Sequence, residues 1–273
     1  MKDDLPRPYL TFALLDGLTT SPTTEHETAI KGTTVRRIGP LVEFAYLDYP
    51  NAITRLSSPN HSHAINSLQA VLDKSGISKF QTAMSLDPNK FEFMRGYQTE
   101  AEADDLRWMT FCKRLENAAS SAGLGDSFAK ALTGTVEEMA SNVLEHSEHA
   151  ETSVVGYRWS QTEFEYVVAD NGIGVLESLR KNSCYSYLED SGKALETSIQ
   201  EGESRYGHNV GHGLGFRDLL NNIASRNSYL RFRSGDYALV IDGTRSPPIW
   251  ETRTCLRIDG FLVSLVSRVL AAK

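Results

Sequence analysis

Apolar residues recur every three or four positions in three segments of the chain, which is the spacing of a helix buried on one face. The first segment is 62–77. The second, 99–124, opens with acidic residues and closes on Gly123 and Gly125, and the third, 126–147, follows directly. Acidic residues at the start and glycine at the end are typical helix boundaries. The pattern therefore predicts three helices, the last two of them consecutive.

Strand composition, with β-branched and aromatic residues, marks the other regular segments. Two runs, 152–159 and 163–170, are separated by a short polar turn and predict a β-hairpin. The same composition predicts three more strands and a second hairpin: strands at 34–49, 91–97 and 259–266, and a hairpin over 229–242. Helices and hairpins in this order are typical of a mixed sheet covered on one face.

From about residue 100 onward, the apolar and polar positions follow helix and strand spacing more regularly than before. We expect an α/β protein in which 1–100 form a smaller α/β N-terminal module of unknown role. Residues 101–273 are expected to form a two-layer sandwich, with a mixed β-sheet and helices on one of its faces.

Composition narrows the classes of partner. The chain of 273 residues is 40% hydrophobic and carries a formal net charge of −7, with no stretch rich in Lys and Arg. This charge argues against a nucleic-acid partner. No apolar run approaches the roughly 18 residues that a membrane span needs. The three cysteines are widely separated. We therefore expect a soluble cytoplasmic protein without membrane or nucleic-acid partners.

The stretch VVADNGIGV ends the second strand of the predicted hairpin. Asp170 follows an apolar run and precedes Gly172 and Gly174. A carboxylate at the end of a buried strand can accept a hydrogen bond from the amine of a planar heterocycle. The glycines would let such a ligand approach the backbone. The alternative is a tight turn in which Asp170 and Asn171 accept hydrogen bonds from the local backbone.

The predicted helix 126–147 carries Glu138, Asn142 and His146 at intervals of four residues. At 100° per residue these side chains form a ladder along one face. The ladder indicates either a polar binding face or an ordinary solvated helix face.

A third stretch, GHNVGHGLGFRDLL, places glycines at 207, 211, 213 and 215 before an amphipathic helix. A glycine-rich lead into a helix presents backbone N–H groups that suit a polyphosphate. The stretch matches neither a Walker loop nor a Rossmann fingerprint. Read alone, it is equally compatible with a flexible hinge.

In this order the three stretches resemble the N box and the two glycine boxes of the GHKL superfamily. That superfamily includes gyrase, heat-shock chaperone and mismatch-repair ATPases, sensor histidine kinases and anti-sigma-factor serine kinases. The resemblance covers about 101–273 and implies the Bergerat (histidine kinase-like ATPase) fold with bound ATP and Mg²⁺.

The resemblance implies a role for each motif residue. Asp170 would bind the exocyclic amine of adenine, while Gly172 and Gly174 would let the purine lie against the backbone. Asn142 would coordinate Mg²⁺ through its amide oxygen, and Glu138 would orient or deprotonate the attacking nucleophile.

The second glycine box would close the phosphate side of the site through Gly211, Gly213, Leu214 and Gly215, next to an ATP lid at 176–210. One position departs from the pattern: the last predicted strand carries Asp-Gly-Phe at 259–261, where many members have Gly-Thr.

The closest functional class by motif is the anti-sigma-type serine/threonine kinase, which transfers the γ-phosphate of ATP to a hydroxyl of a regulatory partner protein. Two alternatives stay open. One is a slow ATPase with a lid-driven conformational switch, and the other is a non-catalytic nucleotide-sensing module. A homodimer is compatible with all three.

Overall fold

The computed structural model describes residues 9–18, 33, 35–47, 63–72, 82–84, 90–200 and 227–269. Their strands form one six-stranded sheet in the spatial order β1-β2-β3-β4-β6-β5. All of the described pairings are antiparallel. The strands are β1 (Thr82–Met84), β2 (Lys90–Arg95), β3 (Val154–Trp159), β4 (Glu163–Asp170), β5 (Ser228–Asp242) and β6 (Ile249–Arg268).

Eight α-helices are described, together with short 3-10 turns at Ala150–Thr152 and Ser183–Tyr185. In chain order, three of the helices come before β1, three lie between β2 and β3, and two follow β4. They are α1 (Phe12–Asp16), α2 (Ile38–Leu47), α3 (His63–Leu72), α4 (Glu100–Ala103), α5 (Leu106–Ser121), α6 (Asp126–His146), α7 (Gly174–Arg180) and α8 (Ser191–Ser198).

Helices cover both faces of the sheet. Within 101–273 the helices that join the sheet core, α5, α6 and α8, lie on one face, which agrees with the prediction for this part of the chain, whereas α2 and α3 from the first hundred residues cover the other face. On β4, Tyr166 and Val168 join the core formed with α5 and α6, whereas Val167 and Ala169 join a second core formed with α2 and α3. Neighbouring residues of a strand point to opposite faces, so a strand that is apolar at successive positions must be covered on both. The sheet differs from the prediction in one respect: it is not mixed, since the described strands pair antiparallel throughout.

The segment predicted as a strand at 34–49 contains helix α2 instead. Nearly every residue of this helix is buried. Apart from Glu43 its sequence is an apolar run without helical spacing, and such a run does not distinguish a buried helix from a buried strand. The start of the helix is stabilised from another element: the Glu165 carboxylate accepts hydrogen bonds from the backbone N–H groups of Ile38 (3.0 Å) and Gly39 (2.7 Å).

The boundary predicted at residue 100 falls inside one continuous sheet, and residues from both sides of it share the core formed with α2 and α3. Strand β2 pairs with β3 along its whole length. Helix α2 packs on β4 and β6. Glu43 of α2, fully buried, pairs with Arg231 of β5 (2.7 Å) and with Arg233. The described part of 1–100 therefore shares its core with the rest of the chain.

The other predicted elements are found with adjusted bounds. The predicted helices 62–77 and 126–147 correspond to α3 and α6, and 99–124 divides into α4 and α5. Strands β2, β3 and β4 occur where predicted. The segment 229–242, predicted as a hairpin, is one long strand whose partner is β6. In the described parts of the chain, no helix has the length and apolar character needed to cross a bilayer.

Candidate functional site at the end of strand β4

Asp170 is the last residue of β4, and its side chain is completely buried. Its Oδ1 atom accepts a hydrogen bond from the backbone N–H of Gly172 (2.6 Å), while Oδ2 has no hydrogen-bond partner among the described residues. Burial raises the pKa of Asp170 to about 7, although backbone N–H groups of Gly172 and Phe261 lower it. The strand thus ends on a buried carboxyl group with one acceptor oxygen unused by the described structure.

The loop after Asp170 is held in place by its own backbone amides. Three of its N–H groups donate to other elements: Asn171 to the Thr152 hydroxyl (2.9 Å), Ile173 to the Ser147 carbonyl (3.0 Å) and Val175 to the Ser234 hydroxyl (2.9 Å). These bonds connect the loop to the segment after α6 and to β5. The loop therefore fixes the position of Asp170, and these three amides are already occupied by protein acceptors.

Gly172 and Gly174 lie where neighbouring segments of the chain leave too little space for a Cβ atom. A Cβ atom on Gly172 would lie 2.2 Å from the Ser147 carbonyl oxygen. Gly174 has φ +75°, and its Cβ would lie 2.8 Å from the Ser234 hydroxyl. The sequence interpretation assigned these glycines to the approach of a purine. In the structure, close protein contacts already account for the missing side chains.

Gly260 on β6 packs behind Asp170 in the same way. It has φ +74°, and a Cβ there would lie 2.2 Å from the Asp170 carbonyl oxygen and 2.6 Å from Oδ1. Ser234 donates to the Gly260 carbonyl (2.9 Å). The departure noted at 259–261 thus places a glycine where the chain has no space for a side chain.

Helix α6 carries both Glu138 and Asn142, which are half-buried. The helix ends beside the loop, since Ser147 follows its last residue and accepts from Ile173. At 1.5 Å per residue, Asn142 lies about 7.5 Å and Glu138 about 13.5 Å along the axis from Ser147. The structure therefore brings the first two motifs to one region, the C-terminal half of α6 and the end of β4.

The second glycine box lies outside the described residues, so its predicted phosphate-side residues Gly211, Gly213, Leu214 and Gly215 stay predictions. The predicted lid, 176–210, is described up to residue 200. Helices α7 and α8 occupy this part and share a small apolar cluster, Leu179, Tyr185, Leu188 and Ala194. Helix α8 packs on β5.

Sequence reasoning did not identify four residues that hold the site together: Ser147, Thr152, Ser234 and Gly260. They lie on four different segments, and the antiparallel pairing that places Phe261 opposite Asp170 brings β6 to the loop. For Gly260 the sequence did contain a signal, because Asp-Gly-Phe stands at 259–261 where many members of the superfamily have Gly-Thr. Nothing in the local sequence pattern distinguishes the three hydroxyl residues.

Two ligand groups can be tested against these residues. The unused acceptor of Asp170 suits an N–H donor such as a heterocyclic amine, and the Asn142 amide oxygen is a hard ligand suited to Mg²⁺. The described residues contain no group of three or more His, Cys, Asp or Glu arranged to hold a metal ion.

Comparison of the chain with protein-family models, with curated proteins and with solved structures found no match in any of the three. The fold that is shown is an α/β sandwich built on an open antiparallel sheet.

Proposed function

We propose that the protein binds Mg-ATP at the end of β4 and transfers the γ-phosphate to a hydroxyl group of a partner protein. The observation that carries the binding proposal is the buried Asp170 Oδ2, which has no donor among the described residues. A buried acceptor without a partner costs about 1 to 3 kcal/mol. The exocyclic amine of adenine would supply the missing donor.

The chain's own residues have separate tasks in this proposal. Asp170 accepts from the base, and the amide-bonded loop 171–175 keeps its carboxyl group in position. Asn142 offers one oxygen ligand to the metal. Glu138, on the same helix, accepts the proton of the attacking hydroxyl. Mg-ATP supplies an activated phosphoryl group whose charge the metal partly neutralises.

Transfer to a protein hydroxyl, rather than to water, is supported by the resemblance to the anti-sigma-type serine kinases. The fate of the γ-phosphate tests it directly. Purified protein is incubated with γ-labelled ATP, with and without cell extract. Label on a protein only when extract is present supports the kinase. Label in free phosphate without extract identifies the slow ATPase, and label remaining in ATP identifies a nucleotide sensor.

The role of Glu138 has a matched control in the neighbouring Glu137, an exposed carboxylate on the same helix. We expect Glu138→Gln to lower phosphoryl transfer about 100-fold, the usual minimum for loss of a general base. Glu137→Gln should change it less than twofold. Equal effects of the two substitutions would contradict the assigned role.

The adenine contact is tested by calorimetry with ATP and inosine triphosphate, which has an oxygen in place of the exocyclic amine. We expect ATP to bind at least about tenfold more tightly, because a hydrogen bond to a charged group contributes about 1.5 to 3 kcal/mol. Equal affinities would show that Asp170 does not bind the amine of the base.

A further inference from the structure

A second concave surface lies at the opposite end of β4. It is a cleft of about 470 Å³ bounded by residues 9–12, the start of α2, the turn between β3 and β4, and the ends of β5 and β6. Glu163, the first residue of β4, lines this cleft, whereas Asp170 is the last residue of the strand. At about 3.3 Å per residue, the two residues are about 23 Å apart. The cleft is therefore separate from the candidate nucleotide site.

The charge of the cleft is opposite to that of the chain. Arg36, Arg37 and Arg268 line it, and Glu163 is the one carboxylate among its lining residues. The Glu163 carboxylate contacts Arg37 (2.8 Å), Arg268 (3.5 Å) and the nearly buried Arg158 (3.3 Å). One carboxylate is thus shared by three guanidinium groups, which leaves a positive excess in a protein whose net charge is −7.

Within the described residues the cleft arginines use few of their donors. Each guanidinium has five N–H groups, and in this part of the chain Arg37 donates from one nitrogen, Nη2, to Glu163. Arg36 is exposed and lies over the ring of Tyr9, 5.4 Å from its centroid. Planar guanidinium groups with free donors match the oxygens of a phosphate group in pairs.

The rest of the lining is partly apolar and firmly connected. Leu10, Phe12 and Pro40 supply hydrophobic surface. Backbone bonds join the strand ends beneath the cleft: Arg268 N–H donates to the Asn227 carbonyl (3.0 Å), and Val269 N–H donates to the Thr162 carbonyl (3.0 Å). The cleft therefore offers a basic side and an apolar side on a rigid base, which suits a ligand with a charged group and an organic group.

We propose that this cleft binds a phosphate monoester. Arg36, Arg37 and Arg268 hold the dianionic phosphate, and the organic group lies against Leu10, Phe12 and Pro40. Glu163 aligns Arg37 and Arg268 by accepting from both. The proposal does not depend on nucleotide binding at Asp170.

The test is calorimetry of the full chain with phenyl phosphate and with inorganic phosphate, in a buffer free of other phosphates. We expect millimolar or tighter binding of phenyl phosphate and weaker binding of inorganic phosphate. Arg36→Gln and Arg37→Gln should each weaken phenyl phosphate binding at least about fivefold, because each removes a charge-assisted contact. Thermal unfolding shows whether Arg37→Gln, which breaks an ion pair, still folds; Arg36→Gln changes an exposed side chain.

The matched control is Arg245→Gln, which removes an equally charged, exposed residue that pairs with Asp242 (3.6 Å), neither of which lines the cleft. It should change the affinity less than twofold. The proposal is overturned if no binding heat is found at millimolar phenyl phosphate, or if the Arg36 and Arg245 variants bind equally. Equal affinities for the two probes would exclude the ester.

Discussion

Strand β4 contains two buried carboxyl groups, Glu165 and Asp170, and they differ in how their oxygens are used. Both side chains are 0% exposed, and burial raises the pKa of each to about 7. Both oxygens of Glu165 accept backbone N–H groups at the start of α2. Asp170 uses Oδ1 for Gly172, while Oδ2 has no partner in the described structure.

Glu165 and Asp170 therefore illustrate two different roles of a buried carboxyl group. Glu165 satisfies a helix start that would otherwise leave buried N–H groups unpaired, so its function is structural. Asp170 is equally buried and its pKa is raised to the same value, yet its Oδ2 atom accepts no hydrogen bond from the described residues. Burial and a raised pKa alone therefore do not distinguish the two carboxyl groups; the hydrogen bonds made by each oxygen do.

The largest expected effect is the loss of ATP binding in Asp170→Asn. We expect affinity to fall at least about 100-fold, or about 2.7 kcal/mol, because the amide removes the charge that accepts the adenine amine. Calorimetry measures the affinity, and thermal unfolding should show no loss of stability. Binding of ATP within threefold of wild type would remove the distinction between Asp170 and Glu165.

The next effect concerns the loop that positions Asp170. Gly172→Ala should destabilise the protein by about 2 to 3 kcal/mol, since its Cβ would lie 2.2 Å from the Ser147 backbone oxygen. Gly134→Ala is the matched control: outside its own helix, no described residue lies within 4 Å of a Cβ added to this α6 glycine. The control should gain about 0.5 to 1 kcal/mol. Chemical unfolding measures both, and similar stabilities would contradict the packing account.

Glu165→Gln should lower stability with little effect on the nucleotide. A glutamine has one acceptor oxygen, so one of the N–H groups of Ile38 and Gly39 loses its partner at a cost of about 1 to 2 kcal/mol. Chemical unfolding measures the loss, and calorimetry should give an ATP affinity within threefold of wild type. A loss of affinity as large as that of Asp170→Asn would make the two carboxyl groups equivalent.

The smallest effect, expressed as kcal/mol per pH unit, is on the pH dependence of stability. The folded pKa of Asp170, about 7, exceeds its ordinary value of 3.8, so the folded state binds more protons between these values. Its stabilising contribution is complete below pH 3.8 and is lost as pH rises through 7, at no more than about 1.4 kcal/mol per pH unit. Unfolding from pH 4.5 to 7.5 should show a shallower decline in Asp170→Asn. An unchanged slope would refute the raised pKa.

Much of the site region could be predicted because its signals are local. Helix α6 has helical spacing, and the hairpin of β3 and β4 has strand composition and a polar turn. Asp170 follows the apolar run directly. These features depend on residues close together in the chain, which is where pattern reasoning is strongest.

Features that depend on distant contacts could not be predicted. The apolar run of α2 gave no helical period because the helix is buried almost all round, and its start is stabilised by Glu165, far along the chain. The need for glycine at 260 follows from the pairing of β6 with β4. The covering of the second sheet face by α2 and α3 could not be predicted either, because the sequence of α2 lacks helical spacing and is typical of a strand.

The shared core across residue 100 limits how the chain can be shortened. A version lacking the first hundred residues would lose Glu43 and Asp16, the acidic partners of Arg231, and would leave this fully buried arginine without a counter-charge. It would also expose the face of β4 that carries Val167 and Ala169. Such a truncated chain should precipitate, so the N-terminal third is part of the scaffold on which the position of Asp170 depends.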